Sequence, residues 1–102
     1  MSSLTVEVAL FKLKPTADEA AFLRASDAIM PDLRSMPGYV RRELLKGESG
    51  QWLDIIHWNS LAEAERAAQE IMSRPACHPF MGMIDETSIT MLHPTQARVY
   101  AN

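Results

Sequence analysis

The chain has 102 residues, 47% of them hydrophobic and 23% charged, with a formal net charge of −3. This length and composition predict one ordered domain, and the lack of a basic run argues against nucleic-acid binding. Its apolar runs are much shorter than the roughly 20 residues of a membrane span, and residues 1–4 do not resemble a signal peptide. Cys77 is the single cysteine, which excludes an intrachain disulfide and makes a cytoplasmic protein the simplest interpretation.

The first predicted elements are a strand and an interrupted helix. Residues 4–14 are rich in Val and Leu and predict a strand that Pro15 closes. Thr16–Glu19 has the pattern of a capping box, which predicts the start of a helix. Pro31 lies inside this helical stretch and should interrupt it, and Pro37-Gly38 ends it.

A hairpin is predicted next. Residues 39–46 and 51–58 have the composition of strands, and Gly47–Gly50 between them has strong turn chemistry. Ser60–Glu63 is a second capping box, and it opens an amphipathic helix that Pro75 stops.

The last predicted elements are a connection and a fourth strand. Residues 76–85 form an apolar connection with one helical turn expected after Pro79. Residues 86–93 predict the strand, and residues 97–101 are a short tail that is able to extend a sheet edge.

This order of elements predicts an α+β domain with a ferredoxin-like β-α-β-β-α-β fold. Right-handed crossovers place both helices on one face of a four-stranded antiparallel sheet, with the first and third strands at its centre. Because side chains alternate across a strand, each strand divides into two faces. One face is almost entirely aliphatic, and we expect it beneath the helices: Leu4, Val6, Val8, Leu10, Val40, Leu44, Leu53, Ile55, Ile89 and Met91.

The opposite face carries large side chains that no helix is left to cover. A sheet face this apolar is unusual in contact with water, and packing against a second copy would bury it. We therefore expect a homodimer through the helix-free sheet face. The predicted interface residues are Phe11, Tyr39, Arg41, Trp52, Asp54 and Ile56, with Trp58 at the end of the same row.

Three stretches give the chain a resemblance to a known family. They are Met36-Pro37-Gly38-Tyr39 at the second strand, Trp52 to Trp58 followed by Asn59-Ser60, and Pro75 to Phe80 after the second helix. The sequence resembles the dimeric α/β-barrel superfamily, and within it the domains similar to antibiotic biosynthesis monooxygenases. That superfamily includes cofactor-free monooxygenases, haem-degrading enzymes and isomerases.

The resemblance implies a ligand pocket between the sheet and the helices of each subunit. No cofactor is expected, because the haem-degrading branch is matched at one position alone. That branch uses an Asn on the first strand, a Trp on the second helix and a His just after it, and here His78 alone corresponds.

Two histidines are the candidate catalytic residues. His57 is predicted on a central strand in the helix-facing register, where an imidazole suits general acid–base chemistry. The alternative is a structural His that donates to a backbone carbonyl. His78 lies in the Cys-His-Pro-Phe turn, where it either reaches the same pocket or caps the second helix. His93 is expected at the far end of the last strand, and the spacing of the three histidines predicts no metal site.

The candidate ligand-binding residues are Arg42, Trp58, Phe80 and Met83. Arg42, predicted on the helix side of an edge strand, either clamps an anionic group or extends to solvent.

Acidic residues are predicted on the interface face. Glu7 and Asp54 lie on adjacent strands there, with Glu43 expected opposite Asp54, so that either two acids share a proton or the acids form an ion-pair network with Arg41. We favour the network. Cys77 is expected to be structural.

Two hypotheses of function remain. One is a cofactor-independent enzyme of monooxygenase or isomerase type that acts on a small aromatic or polyketide-like molecule. The other is a non-catalytic dimeric module that binds a small apolar ligand or serves in assembly. A narrow cavity lined by methionine would favour the second hypothesis.

Overall fold

The structure of this chain is a computed structural model, and it describes residues 3–102. Its elements in chain order are β1 (Thr5–Lys12), α1 (Glu19–Ala28), α2 (Met30–Ser35), β2 (Tyr39–Lys46), β3 (Gln51–Trp58), α3 (Leu61–Ile71), α4 (Cys77–Gly82) and β4 (Thr90–Leu92). Single 3-10 turns at Glu48–Gly50 and Glu86–Ser88 complete the regular structure. None of the helices in this described range is long and apolar enough to cross a membrane.

The sheet has four strands in the order β2-β3-β1-β4, and neighbouring strands are antiparallel. The prediction that the first and third strands form the central pair is therefore confirmed. The hairpin between β2 and β3 is also confirmed, and its turn closes with a hydrogen bond of 2.7 Å from the Gly47 amide to the Gln51 carbonyl.

The first helical stretch is divided as its proline predicts. α1 ends at Ala28, and α2 begins two residues later with Pro31 in its first turn, where a missing amide hydrogen is tolerated. The cap of α1 is Asp18, whose carboxylate accepts from the Ala21 amide at 2.9 Å. The predicted cap at Thr16 was wrong by two residues.

The second capping box is confirmed. Ser60 accepts from the Glu63 amide at 3.2 Å, and the Ser60 hydroxyl donates to the Glu63 carboxylate at 2.9 Å. The helix that follows buries Ala64 and Ala67 against the core. These small side chains leave room between α3 and the sheet, and this room becomes part of the cavity described below.

The segment after α3 differs from its prediction. A helical turn was expected after Pro79, but α4 starts at Cys77 and includes that proline in its first turn. β4 spans three residues rather than residues 86–93, because Glu86–Ser88 forms a 3-10 turn held by Asp85. Residues 97–101 form no strand, and the last ladder contact is a bridge between Thr5 and Thr95.

The predicted assignment of the two sheet faces was wrong for β1 and β3. The helices cover the row that contains Phe11, Trp52, Ile56 and Trp58, and these residues are 1–7% exposed. Phe22 of α1 packs on this row, with its ring 5.2 Å from Trp52 and 5.9 Å from Phe11. Aromatic side chains bury more apolar area than Val or Leu, so the helices gain more stabilisation by covering the aromatic row.

A β-bulge divides the residues of β2 between the faces. The register pairs Tyr39 with Trp58 but Arg41 with His57, so one extra residue lies between the two pairs. Tyr39 therefore contacts Trp58 on the helix side, with ring centroids 5.9 Å apart. Arg41 lies on the other face with His57. Of the predicted interface set, Arg41 alone lies on the helix-free face, whereas Phe11, Tyr39, Trp52, Asp54 and Ile56 lie beneath or beside the helices.

The helix-free face is instead the aliphatic row. Its apolar members are half-buried or exposed in the single chain: Val6, Val8, Leu10, Leu45, Leu53, Ile55 and Leu92. Arg41 and Glu43 lie among them and form a surface ion pair of 2.7 Å.

Candidate active site

A cavity of about 350 Å³ lies between the sheet and the helices. This is the location that the sequence resemblance implies. Its walls are mostly apolar, and they include Phe11, Leu33, Ile56, Ala67, Ile71 and Met81. Residues from β1, β3, α2, α3 and α4 therefore contribute to one partly open cavity that suits a small and largely apolar molecule.

Two of the polar groups in this cavity form a buried ion pair. The guanidinium of Arg42 on β2 donates to both carboxylate oxygens of Asp54 on β3, at 2.9 and 2.8 Å. A further bond of 3.0 Å runs from Arg42 to the Ser26 carbonyl of α1. The two side chains are 5% and 11% exposed, so the pair is fixed in position and its charges are largely neutralised.

Glu7 is the third polar group of the cavity, and its carboxyl has an unusual acidity. Burial, with the nearby Asp54 charge as the second cause, raises the pKa of Glu7 from 4.5 to about 7. The Trp58 side chain and the Arg42 charge oppose this rise. Asp54 is already engaged by Arg42, so Glu7 is the carboxyl free to exchange a proton in this space.

Two further side chains of the wall carry polar atoms. The indole N–H of Trp58 is buried near the Glu7 carboxyl, whose pKa it lowers, but it makes no hydrogen bond of good geometry within residues 3–102. An unpaired buried donor is able to donate a hydrogen bond to an oxygen of a ligand. Burial also raises the pKa of the Cys77 thiol, which keeps the thiol protonated and consistent with a structural role.

The predicted ligand-binding residues are mostly brought together here. Arg42, Trp58 and Phe80 line the cavity, while Met83 packs against the core without lining it. The Phe80 ring lies 5.4 Å from the Arg42 guanidinium, which adds a cation–π contact to the buried pair. The roles of these residues in binding a ligand stay predictions.

The two predicted catalytic histidines do not line the cavity. His57 lies on the helix-free face, because the alternation of β3 turns its neighbours Ile56 and Trp58 towards the helices. Its Nδ1 atom is buried and forms no hydrogen bond with residues 3–102. His78 is exposed on α4, while the adjacent Cys77 faces the cavity.

The sequence prediction placed Glu7 and Asp54 together correctly but on the wrong side of the sheet. Asp54 pairs with Arg42 rather than Arg41, and Leu44 rather than Glu43 stands opposite it. Parity in the sequence placed Glu7 on the same face of β1 as Phe11, but the packing of the helices on that face was needed to put Glu7 in the cavity. Within residues 3–102 no cluster of His, Cys, Asp and Glu has the arrangement of a metal site.

Comparison with solved structures identifies the fold. A provisionally named antibiotic biosynthesis monooxygenase from Bordetella bronchiseptica superposes with a TM-score of 0.80 at 13% identity, over 94% of this chain and 99% of that chain. The fold is that of the antibiotic biosynthesis monooxygenase-like proteins. No family model matches the sequence, and no curated protein matches it.

Two other solved structures show the range of proteins with this fold. SnoaB from Streptomyces nogalater, a cofactor-independent oxygenase, has a TM-score of 0.63 at 15% identity over 99% of this chain and 97% of that one. A dimeric ferredoxin-like protein of unknown function from Thermobifida fusca has a TM-score of 0.71 at 9% identity, over 94% and 93% of the two chains. At these identities the similarity establishes the fold and does not extend to the reaction.

Proposed function

We propose that this protein is a cofactor-independent enzyme that removes a proton from a small aromatic or polyketide-like molecule in the cavity, with Glu7 as the base. The observation that carries this proposal is the Glu7 carboxyl, which lies in an apolar cavity with its pKa raised to about 7. A base with a pKa near the working pH is ionised often enough to act and strong enough to hold the proton it takes. An ordinary surface glutamate lacks the second property.

The surroundings of Glu7 fit this role. The cavity volume of about 350 Å³ is at the small end of the range for ligand sites, which favours a molecule of two or three rings. The indole N–H of Trp58, which lies near Glu7 without a hydrogen bond of good geometry within residues 3–102, supplies a donor for a carbonyl or hydroxyl oxygen of that molecule. A hydrogen bond to this oxygen would stabilise the negative charge that develops there when Glu7 removes a neighbouring proton.

The deprotonated molecule has two fates. If Glu7 returns the proton to another atom, the reaction is an isomerisation. If the carbanion reacts with molecular oxygen, a methylene carbon becomes a carbonyl, one oxygen atom enters the product, and the other leaves as water with the two methylene hydrogens. The shared fold with SnoaB, a cofactor-independent oxygenase, favours this second fate.

Proton abstraction is testable without knowing the natural substrate. We expect the wild-type protein to accelerate exchange of the α-hydrogens of 2-tetralone, a two-ring ketone, for deuterium in D2O, as followed by NMR. The Glu7→Gln variant should lose about 100-fold or more of that acceleration, as is typical for removal of a general base. Glu65→Gln, at an exposed position of α3, is the matched control and should retain the rate. Equal rates for wild type and Glu7→Gln would refute the proposal.

The alternative function is binding without catalysis. It is favoured by the methionine side chains of the wall, Met72, Met81 and Met91, and by the absence of His57, His78 and His93 from it. This alternative predicts that 2-tetralone binds, with saturation-transfer signals in NMR, while its deuterium exchange stays at the rate of the buffer.

We further propose that the chain forms a homodimer through the helix-free sheet face. The support is the aliphatic row on that face, which in one chain remains half-exposed to water. The Thermobifida fusca protein with this fold is described as dimeric. Ile55→Glu places a charge in the middle of the row and should give a monomer in native mass spectrometry. Leu61→Glu, at an exposed position of α3, should leave the dimer intact, and a wild-type monomer would contradict the proposal.

A further inference from the structure

We infer that His93 and Glu7 form a proton relay that connects the cavity with the solvent. The inference rests on the proposed function, because it concerns how the proton that Glu7 accepts leaves the protein. Nε2 of His93 lies 4.0 Å from Oε1 of Glu7, and the two side chains are 30% and 12% exposed. The imidazole therefore lies beside the mostly buried carboxyl and is itself partly open to solvent.

The backbone fixes this arrangement. His93 directly follows β4, the edge strand that pairs with β1. A hydrogen bond of 2.8 Å from the Val6 amide to the Pro94 carbonyl continues the pairing past the end of β4. Because Glu7 and His93 each adjoin a residue of this bond, the two side chains are held side by side at the edge of the cavity.

The other groups around Glu7 cannot carry its proton outwards. Asp54 on β3 and Arg42 on β2 are locked in their buried pair, and Cys77 on α4 is a buried thiol whose pKa is raised. The remaining wall residues are apolar except for the indole N–H of Trp58, which is not an ionisable group. Within residues 3–102, His93 is the ionisable side chain that has a nitrogen 4.0 Å from the Glu7 carboxylate and is also partly open to solvent.

The relay explains how a buried base can be reset. After Glu7 has taken a proton, the proton passes to the imidazole and from there to water, which regenerates the carboxylate. An imidazole is suited to this step because one ring nitrogen can accept a proton while the other releases one. A small rotation of either side chain would bring the two atoms, now 4.0 Å apart, within hydrogen-bond distance. Such a relay alters the rate at which Glu7 exchanges its proton.

The experiment is NMR of protein labelled with 13C at the glutamate carboxyls, with the Glu7 signal assigned from the Glu7→Gln variant. Through a titration around pH 7, the wild type should show one averaged Glu7 signal. In His93→Gln we expect proton exchange at least tenfold slower, seen as broadening of this signal, and free imidazole in the buffer should restore the sharp line. His78→Gln, also at an exposed position, is the matched control and should behave as wild type.

The outcomes separate this inference from the proposed function. A Glu7 signal that titrates near pH 7 with the same line shape in His93→Gln and wild type overturns the relay and leaves Glu7 as the base. A Glu7 signal that titrates near the ordinary pKa of glutamate would show that the pKa is not raised, and it would overturn both the relay and the proposed role of Glu7 as the base. Slow exchange in His93→Gln that imidazole does not restore also overturns the relay, since a structural effect would then explain it.

Discussion

Replacing Glu7 by Gln should stabilise the protein above pH 7. At such a pH the wild type keeps an ionised carboxylate in the apolar cavity, and Gln has nearly the same shape without the charge. The pKa of Glu7 is 4.5 in its ordinary state and about 7 in the folded protein. At about 1.36 kcal/mol for each pH unit, this difference corresponds to about 3 kcal/mol of lost stability when the carboxyl is fully ionised.

The sign of the pH dependence follows from proton binding. Between about pH 4.5 and pH 7 the folded protein holds a proton on Glu7 that the unfolded chain has released. The contribution of Glu7 to stability therefore falls as the pH rises through this range, and it is constant above it. Gln at the same position does not titrate, so the free energy of unfolding of the variant does not fall for this reason as the pH rises.

The assay is urea unfolding of wild type, Glu7→Gln and the control Glu65→Gln at pH 5 and pH 8. The advantage of Glu7→Gln over wild type should grow by roughly 2–3 kcal/mol between the two pH values, while the control tracks the wild type. A constant difference would show that Glu7 has an ordinary pKa and would remove the argument for a base. If Glu7→Gln were less stable than wild type at pH 8, the attraction of Arg42 would stabilise the ionised Glu7 more than burial destabilises it.

Two more predictions concern stability in urea unfolding. Asp54→Ala leaves the buried Arg42 without its carboxylate partner and should destabilise the protein by about 3–5 kcal/mol. The double variant with Arg42→Met should recover much of this loss because it removes both charges. Gly38→Ala and Gly50→Ala both impose a side chain at positive φ, at +87° and +77°, with a strain of about 1–2 kcal/mol. The new Cβ at Gly38 would lie 2.5 Å from Glu63 Cδ while that at Gly50 meets nothing within 4 Å, so Gly38→Ala should destabilise more; equal losses would refute the steric argument.

Local sequence signals determined the order of the elements. Pro31 lacks an amide hydrogen and interrupted the first helical stretch where it stands, and Ser60 with Glu63 marked the start of α3. Turn chemistry in Gly47–Gly50 fixed the hairpin of β2 and β3. These signals act through bonds between near neighbours in the chain, so the sequence alone was sufficient for the ferredoxin-like topology.

The sequence did not determine which sheet face the helices cover. Alternation divides β1 and β3 into two rows, but both rows are apolar, so the pattern gives no preference. The choice depends on how Phe22 and Phe80 from the helices pack with the strand residue Phe11, which is a property of the assembled core. The bulge in β2 also exchanges the faces of the residues on either side of it, and no residue pattern in the sequence predicted it.

The same tertiary choice decided the candidate site. Because the helices cover the aromatic row, Glu7 lies in the cavity and its pKa is raised. His57 has the opposite parity on β3 and therefore lies on the helix-free face. The contact between Glu7 and His93 joins residues that are far apart in the sequence. The sequence supplied an acid on a strand, but burial by the helices and the nearby charge of Asp54 made that acid a candidate base.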